Sequence, residues 1–191
     1  MIKEGMYNMK RKGFSLVEMV IVLAILAIIL SIAIPNYLSG KNRAEVQSAA
    51  NQIADMFQKL YDLEDKEMNY TTYYIKINNY IVPDSSGNYY FQIQLVKRQG
   101  GSEVVLDELK SSRVEIVTPN DLIVTGSGPV WTYICYGNDG NLWRFTGSPA
   151  GQSVYFTSAK ELVVNIKNFG GGRYRKTVLI KTSPPGSVEV K

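Results

Sequence analysis

The sequence contains no histidine and a single cysteine, and these two scarcities exclude several kinds of chemistry. Without histidine, the chain lacks the commonest general base and the commonest metal ligand in proteins. With Cys135 as its one thiol, it cannot form an intramolecular disulfide. Cys135 follows Trp131, Tyr133 and Ile134 in an apolar segment, which predicts a buried thiol in a strand and not a reactive one.

Motifs of catalysis and cofactor binding are also missing from the sequence. It has no nucleophile elbow, no phosphate-binding glycine loop and no pair of acidic residues at a spacing typical of acid–base catalysis. The segment Asn138-Asp139-Gly140-Asn141 gathers oxygen ligands that Ca²⁺ prefers, but it lacks the spaced acids of a calcium loop. A hairpin turn with Asp-Gly at its tip explains that segment without a metal. We therefore predict a protein that is not an enzyme and that uses no cofactor and no metal.

Positive charge is concentrated at the start of the chain. The formal net charge is +4, of which residues 1–13 carry +3, so the remaining residues carry only +1. A sequence pI of about 9.0 is typical of nucleic-acid-binding proteins. Because most of the excess lies in one short flank, the overall charge is weak support for such a function.

A long uncharged segment follows that basic flank. No residue from Met19 to Gly40 is charged, and at about 1.5 Å per helical residue these 22 residues span roughly 33 Å, enough to cross the hydrocarbon core of a bilayer. Lys10, Arg11 and Lys12 precede the segment, and the positive-inside rule places them in the cytoplasm. We predict a single-pass protein of the inner (cytoplasmic) membrane with a transmembrane stalk over residues 14–38 and everything after Leu38 outside the cytoplasm.

Two simple interpretations of this segment leave something unexplained. A secretory signal peptide would end in a small-residue cleavage site, whereas this run ends Ser31-Ile32-Ala33-Ile34-Pro35-Asn36. A plain membrane anchor fits the hydropathy but does not explain Glu18, because a carboxylate within an apolar span costs on the order of 2.5–3.5 kcal/mol at the centre and less near an end. The natural partner of such a residue is a cation at a similar depth.

Cleavage between Gly13 and Phe14 would create that cation. The new α-amino group would have a pKa of about 8 and would be mostly protonated at neutral pH. It would lie four residues before Glu18, one turn away on the same helix face. The pair could meet within one chain, or between chains it could set the axial register of stacked helices.

The segment Lys12-Gly13-Phe14-Ser15-Leu16-Val17-Glu18 resembles the class III signal of type IV prepilins and pseudopilins. The resemblance implies that a prepilin peptidase of the membrane cuts after Gly13, removes residues 1–13 as a leader and N-methylates Phe14. It further implies that Glu18 sets the register of stalks in a filament, and that Pro35 kinks the stalk or melts it locally. The partners implied are this peptidase, an assembly platform with its ATPase, other pilins or pseudopilins, and the membrane.

Beyond Pro35 the apolar pattern becomes amphipathic. Apolar residues recur at helical spacing, with charged and amide residues between them, which predicts an amphipathic helix over residues 39–66 whose apolar face packs on a head domain. We expect one continuous helix from Phe14 to about Glu64. The apolar positions are Val46, Ala49, Ala50, Ile53, Phe57, Leu60 and Tyr61.

The head domain, residues 67–191, is strand-like and rich in turn signals. A long helix followed by such strands predicts an α+β protein in which an antiparallel β-sheet wraps the apolar face of the helix, the type IV pilin fold. The predicted strands are Thr71–Ile77, Tyr89–Lys97, Glu103–Leu106, Arg113–Val117, Leu122–Val124, Val130–Tyr136, Leu142–Phe145, Val154–Phe156, Leu162–Ile166, Lys176–Lys181 and Val188–Val190.

The last third of the chain, about sixty residues, is loosely similar to minor pseudopilins of the GspH/FimT group. Its Ile-Cys-Tyr strand meets a Gly-Asn-Asp-Gly turn, and a Pro-Gly-Ser-Val segment precedes the end of the chain. The lack of a cysteine pair also departs from major pilins with a disulfide-bonded loop. This resemblance implies a minor subunit.

A cationic segment in the head indicates a second kind of function. Arg173, Tyr174, Arg175 and Lys176 follow a glycine run, and three cations around an aromatic ring could contact phosphates and stack on bases. The segment is similar to the Gly-Arg-x-Arg element of FimT-type minor pilins that bind DNA during uptake. The alternative is a solvated hairpin whose charges protect a sheet edge.

Together these patterns predict a structural subunit of a type IV pilus or a type II secretion pseudopilus. The subunit is processed by prepilin peptidase and assembled, as a minor component, into a periplasmic or extracellular filament. The alternatives are a DNA-binding minor pilin that acts in DNA uptake and an adhesive pilin.

Overall fold

The computed structural model describes residues 15–68, 72–83, 89–117, 122, 131–146, 153–166 and 174–191. One helix comes first and strands follow it, in the order that the sequence predicts. The chain divides into two compact units, Met1–Lys41 and Asn42–Lys191, which are described separately.

Helix α1, Leu16–Glu67, is continuous over 52 residues and confirms the prediction of one long helix. Its helical assignment includes Pro35, so the local melting expected at that residue is not observed. A proline inside a helix removes one backbone hydrogen bond and tends to bend the axis. A kink at Pro35 stays a prediction.

The first unit, as far as it is described, is the apolar part of α1. Its large hydrophobic side chains, from Leu16 to Leu38, are between 46% and 80% exposed. By length and composition, α1 is the one described helix that could cross a membrane. The long apolar helix that the sequence predicts is therefore present, and its place in a membrane stays a prediction.

The second unit contains ten strands among its described residues. Their bounds follow the sequence-based prediction within a few residues in most cases. They are β1 Tyr73–Pro83, β2 Tyr89–Gln99, β3 Ser102–Ser111, β4 Val114–Val117, β5 Trp131–Tyr136, β6 Leu142–Thr146, β7 Ser153–Phe156, β8 Lys160–Ile166, β9 Arg175–Thr182 and β10 Pro185–Val190.

These strands form two sheets and not one. The larger sheet has the order β3-β2-β1-β5-β6-β7 and the smaller has the order β10-β9-β8-β4. Every described pairing is antiparallel, as expected; Ile75, for example, pairs with Leu95 on one side and with Ile134 on the other.

One predicted strand is wrong at the residue where it can be checked. Leu122, the first residue of the predicted strand Leu122–Val124, lies in a turn, and the other two residues lie outside the described part. Leu122 is fully buried in the common core. Its apolar side chain therefore reflects core packing and not strand pairing, two causes that a short apolar segment does not distinguish.

The second half of α1 packs against both sheets through the predicted stripe. Six of the seven predicted positions are buried, and Tyr61 is partly buried against the same cluster. The cluster also contains residues of β1, β2, β4, β5, β6, β7, β8 and β9, so one hydrophobic core joins the helix to both sheets. The α+β class is confirmed.

A polar contact that the sequence did not predict ties α1 to the connection between β3 and β4. The Arg113 guanidinium donates one hydrogen bond of 2.7 Å to Glu45 Oε1 and another of 2.7 Å to Asn42 Oδ1. Asn42 is buried, so this bond satisfies an amide that would otherwise lose a partner. The contact holds the smaller sheet's edge strand against the helix.

We expect Gly186→Ala to destabilise the head strongly. Gly186 has a φ of +75°, and a Cβ there would lie 2.5 Å from Cγ of Tyr61 on α1. The left-handed backbone costs an L-residue about 1–2 kcal/mol, and overpacking adds about 1–3 kcal/mol. Urea unfolding of the full chain in detergent, followed by near-ultraviolet circular dichroism, measures the loss.

Gly100→Ala is the matched control for that substitution. Gly100 also has a positive φ, +55°, but a Cβ there would meet nothing within 4 Å. Gly100→Ala should therefore lower the free energy of unfolding only by the cost of the left-handed backbone, about 1–2 kcal/mol. Equal losses at both positions would mean that the Tyr61 contact has no part in stability.

Candidate functional site

The N-terminus of α1 is closed by a capping box. The Ser15 backbone N–H donates to Glu18 Oε2 at 2.8 Å, and the Val17 backbone N–H donates to Ser15 Oγ at 3.2 Å. The Ser15 carbonyl accepts the first helical hydrogen bond, from Met19 N–H at 3.2 Å. Ser15 is thus the N-cap and Glu18 the third helical residue, the arrangement in which each side chain satisfies a backbone donor near the helix start.

This geometry assigns Glu18 a second task. From the sequence, we predicted only that Glu18 needs a cation as its partner. Ser15 and Glu18 also have the Ser-x-x-Glu spacing that signals a capping box, and this signal could have predicted the contact. An apolar surrounding makes an unsatisfied N–H costly, so a carboxylate that accepts one has a local structural reason to be there. Gly13 and Phe14, the predicted cleavage residues, lie outside the described part of the chain.

One polar side chain inside the apolar segment is satisfied within the helix. Ser31 Oγ donates to the Ile28 carbonyl at 2.7 Å, so its hydroxyl needs no partner outside. The exposed apolar surface from Leu16 to Leu38 is far more extensive than the scattered apolar residues that a soluble monomer shows. Such a helix requires lipid or other apolar helices around it.

The cationic segment of the head lies beside a different part of α1. A groove of about 520 Å³ is lined by Arg43, Ala44, Val46 and Gln47 from the helix and by Tyr174, Arg175 and Lys176 at the start of β9. In the residues that the structure describes, Arg43, Arg175 and Lys176 have no ion pair. The structure therefore adds Arg43, which is 132 positions before Arg175 in the chain, to the predicted cationic set.

The stacking role expected of Tyr174 is wrong. Its side chain is only 7% exposed and belongs to the hydrophobic core, so its ring presents no free face to a base. The local sequence, a tyrosine followed by cations, does not distinguish a ring that is buried in the core from a ring that is exposed. Arg173 lies outside the described residues.

Two comparisons with known proteins bear on the N-terminal segment. A family model described as the prokaryotic N-terminal methylation motif matches residues 8–34, which contain Gly13, Phe14, Ser15 and Glu18. The type IV wide pilus major component PilA4 of Thermus thermophilus is 41% identical over 56 residues, which is 28% of this chain. Over its N-terminal segment the chain therefore carries the methylation motif and is similar to a type IV pilin. The aligned part covers 43% of PilA4, less than half of its length, and no solved structure gives a significant match.

The head domain carries a buried carboxyl where α1 meets β5. Glu64 is 0% exposed, and its Oε2 accepts the Tyr136 backbone N–H at 3.0 Å. Its Oε1 has no hydrogen-bond partner among the described residues. Burial raises the pKa of Glu64 to about 9, the Tyr136 hydrogen bond opposing the shift only in part, so this carboxyl is protonated at neutral pH.

The single thiol of the chain is buried, as predicted. Cys135 is 4% exposed in β5 and packs in a second, smaller cluster with Tyr74, Val96 and Tyr133. Burial, with the nearby Glu64 carboxyl, raises the pKa of the thiol far above its usual range. A thiol that does not ionise is a poor nucleophile, so Cys135 acts as a core residue.

The turn at 138–141 is held by its own side chains. Asp139 accepts hydrogen bonds from the Asn141 backbone N–H at 3.1 Å and from Asn141 Nδ2 at 2.7 Å, contacts that lower the pKa of the Asp139 carboxyl. Gly140 has a φ of +75°, which a hairpin turn requires. The turn joins β5 to β6, and the hairpin interpretation of this segment is confirmed.

Proposed function

We propose that this chain is a type IV pilin, a structural subunit of a type IV filament that is held in the membrane by its stalk until it is assembled. The observation that carries the proposal is the pairing of an exposed apolar helix with the capping box at its start. The exposed helix supplies the surface that lipid covers first and other stalks cover later. The capping box holds the Glu18 carboxylate next to the site where the new amino group would arise.

The proposed sequence of events begins with the leader. Prepilin peptidase removes residues 1–13 after Gly13 and methylates the Phe14 nitrogen, on the support of the methylation motif that matches residues 8–34. The assembly platform and its ATPase then lift the subunit out of the bilayer. Glu18 of one subunit meets the Phe14 amine of a neighbour, and the unlike charges fix the axial register of the two stalks.

Within the filament we propose a minor subunit, of a pilus or of a type II secretion pseudopilus. The support is the lack of a cysteine pair and the loose similarity of the head to the GspH/FimT group. The relative PilA4 is named as a major component, so the number of copies in the filament decides between the two. We propose no catalytic role and no cofactor for the chain.

The DNA-uptake alternative loses part of its support. With the Tyr174 ring in the core, what remains of the predicted DNA contact is the set of cations, and cations alone do not distinguish DNA from another polyanion. An adhesive role has no feature in its favour among the described residues. The structural role is therefore the function that we propose.

Recovery of the chain from sheared filaments tests this function. We expect the chain in the filament fraction of its own host, at well under a tenth of the copies of the bulk subunit, measured by quantitative mass spectrometry. A Gly13→Leu chain serves as the control: it should keep residues 1–13, remain in the membrane fraction and be missing from filaments. A wild-type chain found only in membranes would contradict the proposal, and near-equal copy number would contradict the minor role.

A further inference from the structure

Two cations from different sheets of the second unit meet at one aromatic ring. Arg144 lies on β6 of the larger sheet, and its Cζ is 5.9 Å from the centroid of the Phe156 ring. Lys160 begins β8 of the smaller sheet, and its Nζ is 4.4 Å from the same centroid. The two charges are therefore no more than about 10 Å apart, a distance comparable to the Debye length at physiological ionic strength.

Both cations lie on the core-facing sides of their sheets. Successive side chains of a strand alternate between its two faces, so Arg144 shares a face with Leu142. By the same rule, Lys160 shares a face with Leu162. Leu142, Leu162 and Phe156 all belong to the common hydrophobic core. Arg144 and Lys160 are only partly exposed, so each holds its charge at the edge of that core.

The described residues supply no carboxylate to this pair. Neither cation has an ion pair there, and the buried Nε of Arg144 has no hydrogen-bond acceptor. Residues 147–152 and 157–159, which connect β7 to its neighbours along the chain, include no acidic residue. Glu161 follows Lys160 directly on β8, so it lies on the opposite face of the strand.

The shared ring and the partial burial distinguish this pair from other cations of the head. Lys76 and Lys97 also lie over aromatic rings, but each has a carboxylate partner. Lys66 and Arg98 have no ion pair among the described residues, but they are exposed and water solvates their charges. A partly buried cation loses some of this solvation, and a second cation nearby adds repulsion. A bound anion would relieve both costs.

We propose that Arg144 and Lys160 bind a small free oxyanion, a phosphate or a carboxylate, where the two sheets meet. The guanidinium of Arg144 can hold two oxygens of such an anion, and Lys160 adds a compact charge from the opposite sheet. The anion then bridges the two sheets and stabilises the head, because it binds the folded chain and not the unfolded one. Neither the N-terminal signal nor the proposed filament role implies this ligand.

Inorganic phosphate is the probe that tests the inference. It is added stepwise to the full chain in maltoside micelles, in a low-salt buffer without other oxyanions, and phosphorus NMR measures the broadening of its signal. We expect saturable binding. Arg144→Gln with Lys160→Gln should weaken the binding at least about tenfold, because this change removes the charge-assisted hydrogen bonds of both cations. Acetate, the carboxylate probe, should compete with phosphate on the wild-type chain.

A second double variant controls for net charge. Lys66→Gln with Arg98→Gln removes the same two charges from exposed positions and should leave the phosphate affinity unchanged. Lys160→Gln alone should weaken binding less than the double change at Arg144 and Lys160 does, and it keeps the test open if that double variant does not fold. Thermal unfolding in the phosphate-free buffer, followed by circular dichroism, shows which variants are folded.

Two outcomes would overturn the inference. One is a wild-type chain that does not bind phosphate saturably. The other is a phosphate affinity that is the same in the control variant and in every folded variant of Arg144 and Lys160, which would leave these cations with their contacts to Phe156 alone. The assay needs neither cleavage nor a filament. A chain that binds phosphate but is missing from sheared filaments would therefore contradict the proposed function and not this inference.

Discussion

A Glu18→Ala chain is expected to be cleaved and inserted normally, yet to reach less than about a tenth of the wild-type level in filaments. The substitution removes the carboxylate that accepts the Ser15 N–H at 2.8 Å, and with it the proposed partner of a neighbouring Phe14 amine. Loss of about 1.4 kcal/mol at an interface is already tenfold in an equilibrium. The measurement is the ratio of mature chain in sheared filaments to mature chain in membranes.

Two further variants separate the tasks of Glu18. Glu18→Gln keeps an oxygen that accepts the Ser15 N–H but carries no charge. If pairing with the Phe14 amine sets the register, this variant should reach filaments as poorly as Glu18→Ala does. Ser15→Ala removes only the hydroxyl that accepts the Val17 N–H at 3.2 Å and should assemble nearly as the wild type does. Full assembly of Glu18→Gln would contradict the charge pairing and leave capping as the role of Glu18.

A second large effect is expected in the pH dependence of stability, and it comes from Glu64. The pKa of this buried carboxyl rises from 4.5 to about 9 on folding, so between these values the folded chain holds a proton that the unfolded chain releases. Stability therefore falls as pH rises through this window, by about 1.4 kcal/mol per unit at most, and it is independent of this group above about pH 9. Thermal unfolding of the full chain in detergent between pH 5 and 9 measures it.

Other carboxyls set the acidic limit of stability. Ion pairs and hydrogen bonds lower the pKa values of Glu67, Asp107 and Glu189, so these groups stabilise the folded chain above their unfolded pKa and lose that contribution as pH falls through the lowered values. The contributions of these groups are small because all three lie at or near the surface, where solvent screens them. Maximum stability is thus expected on the mildly acidic side of neutrality.

Glu64→Gln is the test variant, and Glu67→Gln is its control. The glutamine keeps an oxygen for the Tyr136 N–H at 3.0 Å but cannot ionise, so the melting temperature should hardly change between pH 5 and 9. Glu67 lies one helical turn later, is exposed, and accepts a hydrogen bond from Tyr73 OH. The melting temperature of Glu67→Gln should therefore fall with rising pH as steeply as that of the wild type. If the melting temperature of Glu64→Gln depended on pH as that of the wild type does, Glu64 would not be the group that titrates.

The features that sequence reasoning predicted well depend on local signals. The stalk follows from a run of uncharged residues, and the buried stripe from Val46 to Leu60 follows from helical spacing. The hairpin at 138–141 follows from Asp-Gly chemistry. In each case the residues that decide the structure lie within one or two turns of one another, so their order along the chain carries the information.

The features that it missed depend on contacts between distant residues. Tyr174 reads as a surface aromatic among cations, and only the packing of β9 on α1 places its ring in the core. The contact of Arg113 with Asn42 joins residues 71 positions apart, and Glu64 reaches Tyr136 across 72 positions. The division into two sheets depends on β8 pairing with β4 and β9, and no local pattern specifies it.

The measurement that tests the central claim most directly is the intact mass, with the N-terminal sequence, of the chain purified from the membranes and filaments of its own host. The account predicts a mature chain that begins at N-methylated Phe14 and lacks residues 1–13. A chain that still carries Met1 in both fractions would contradict it. Glu18 would then have its capping role alone, and the filament proposal would lose its first step.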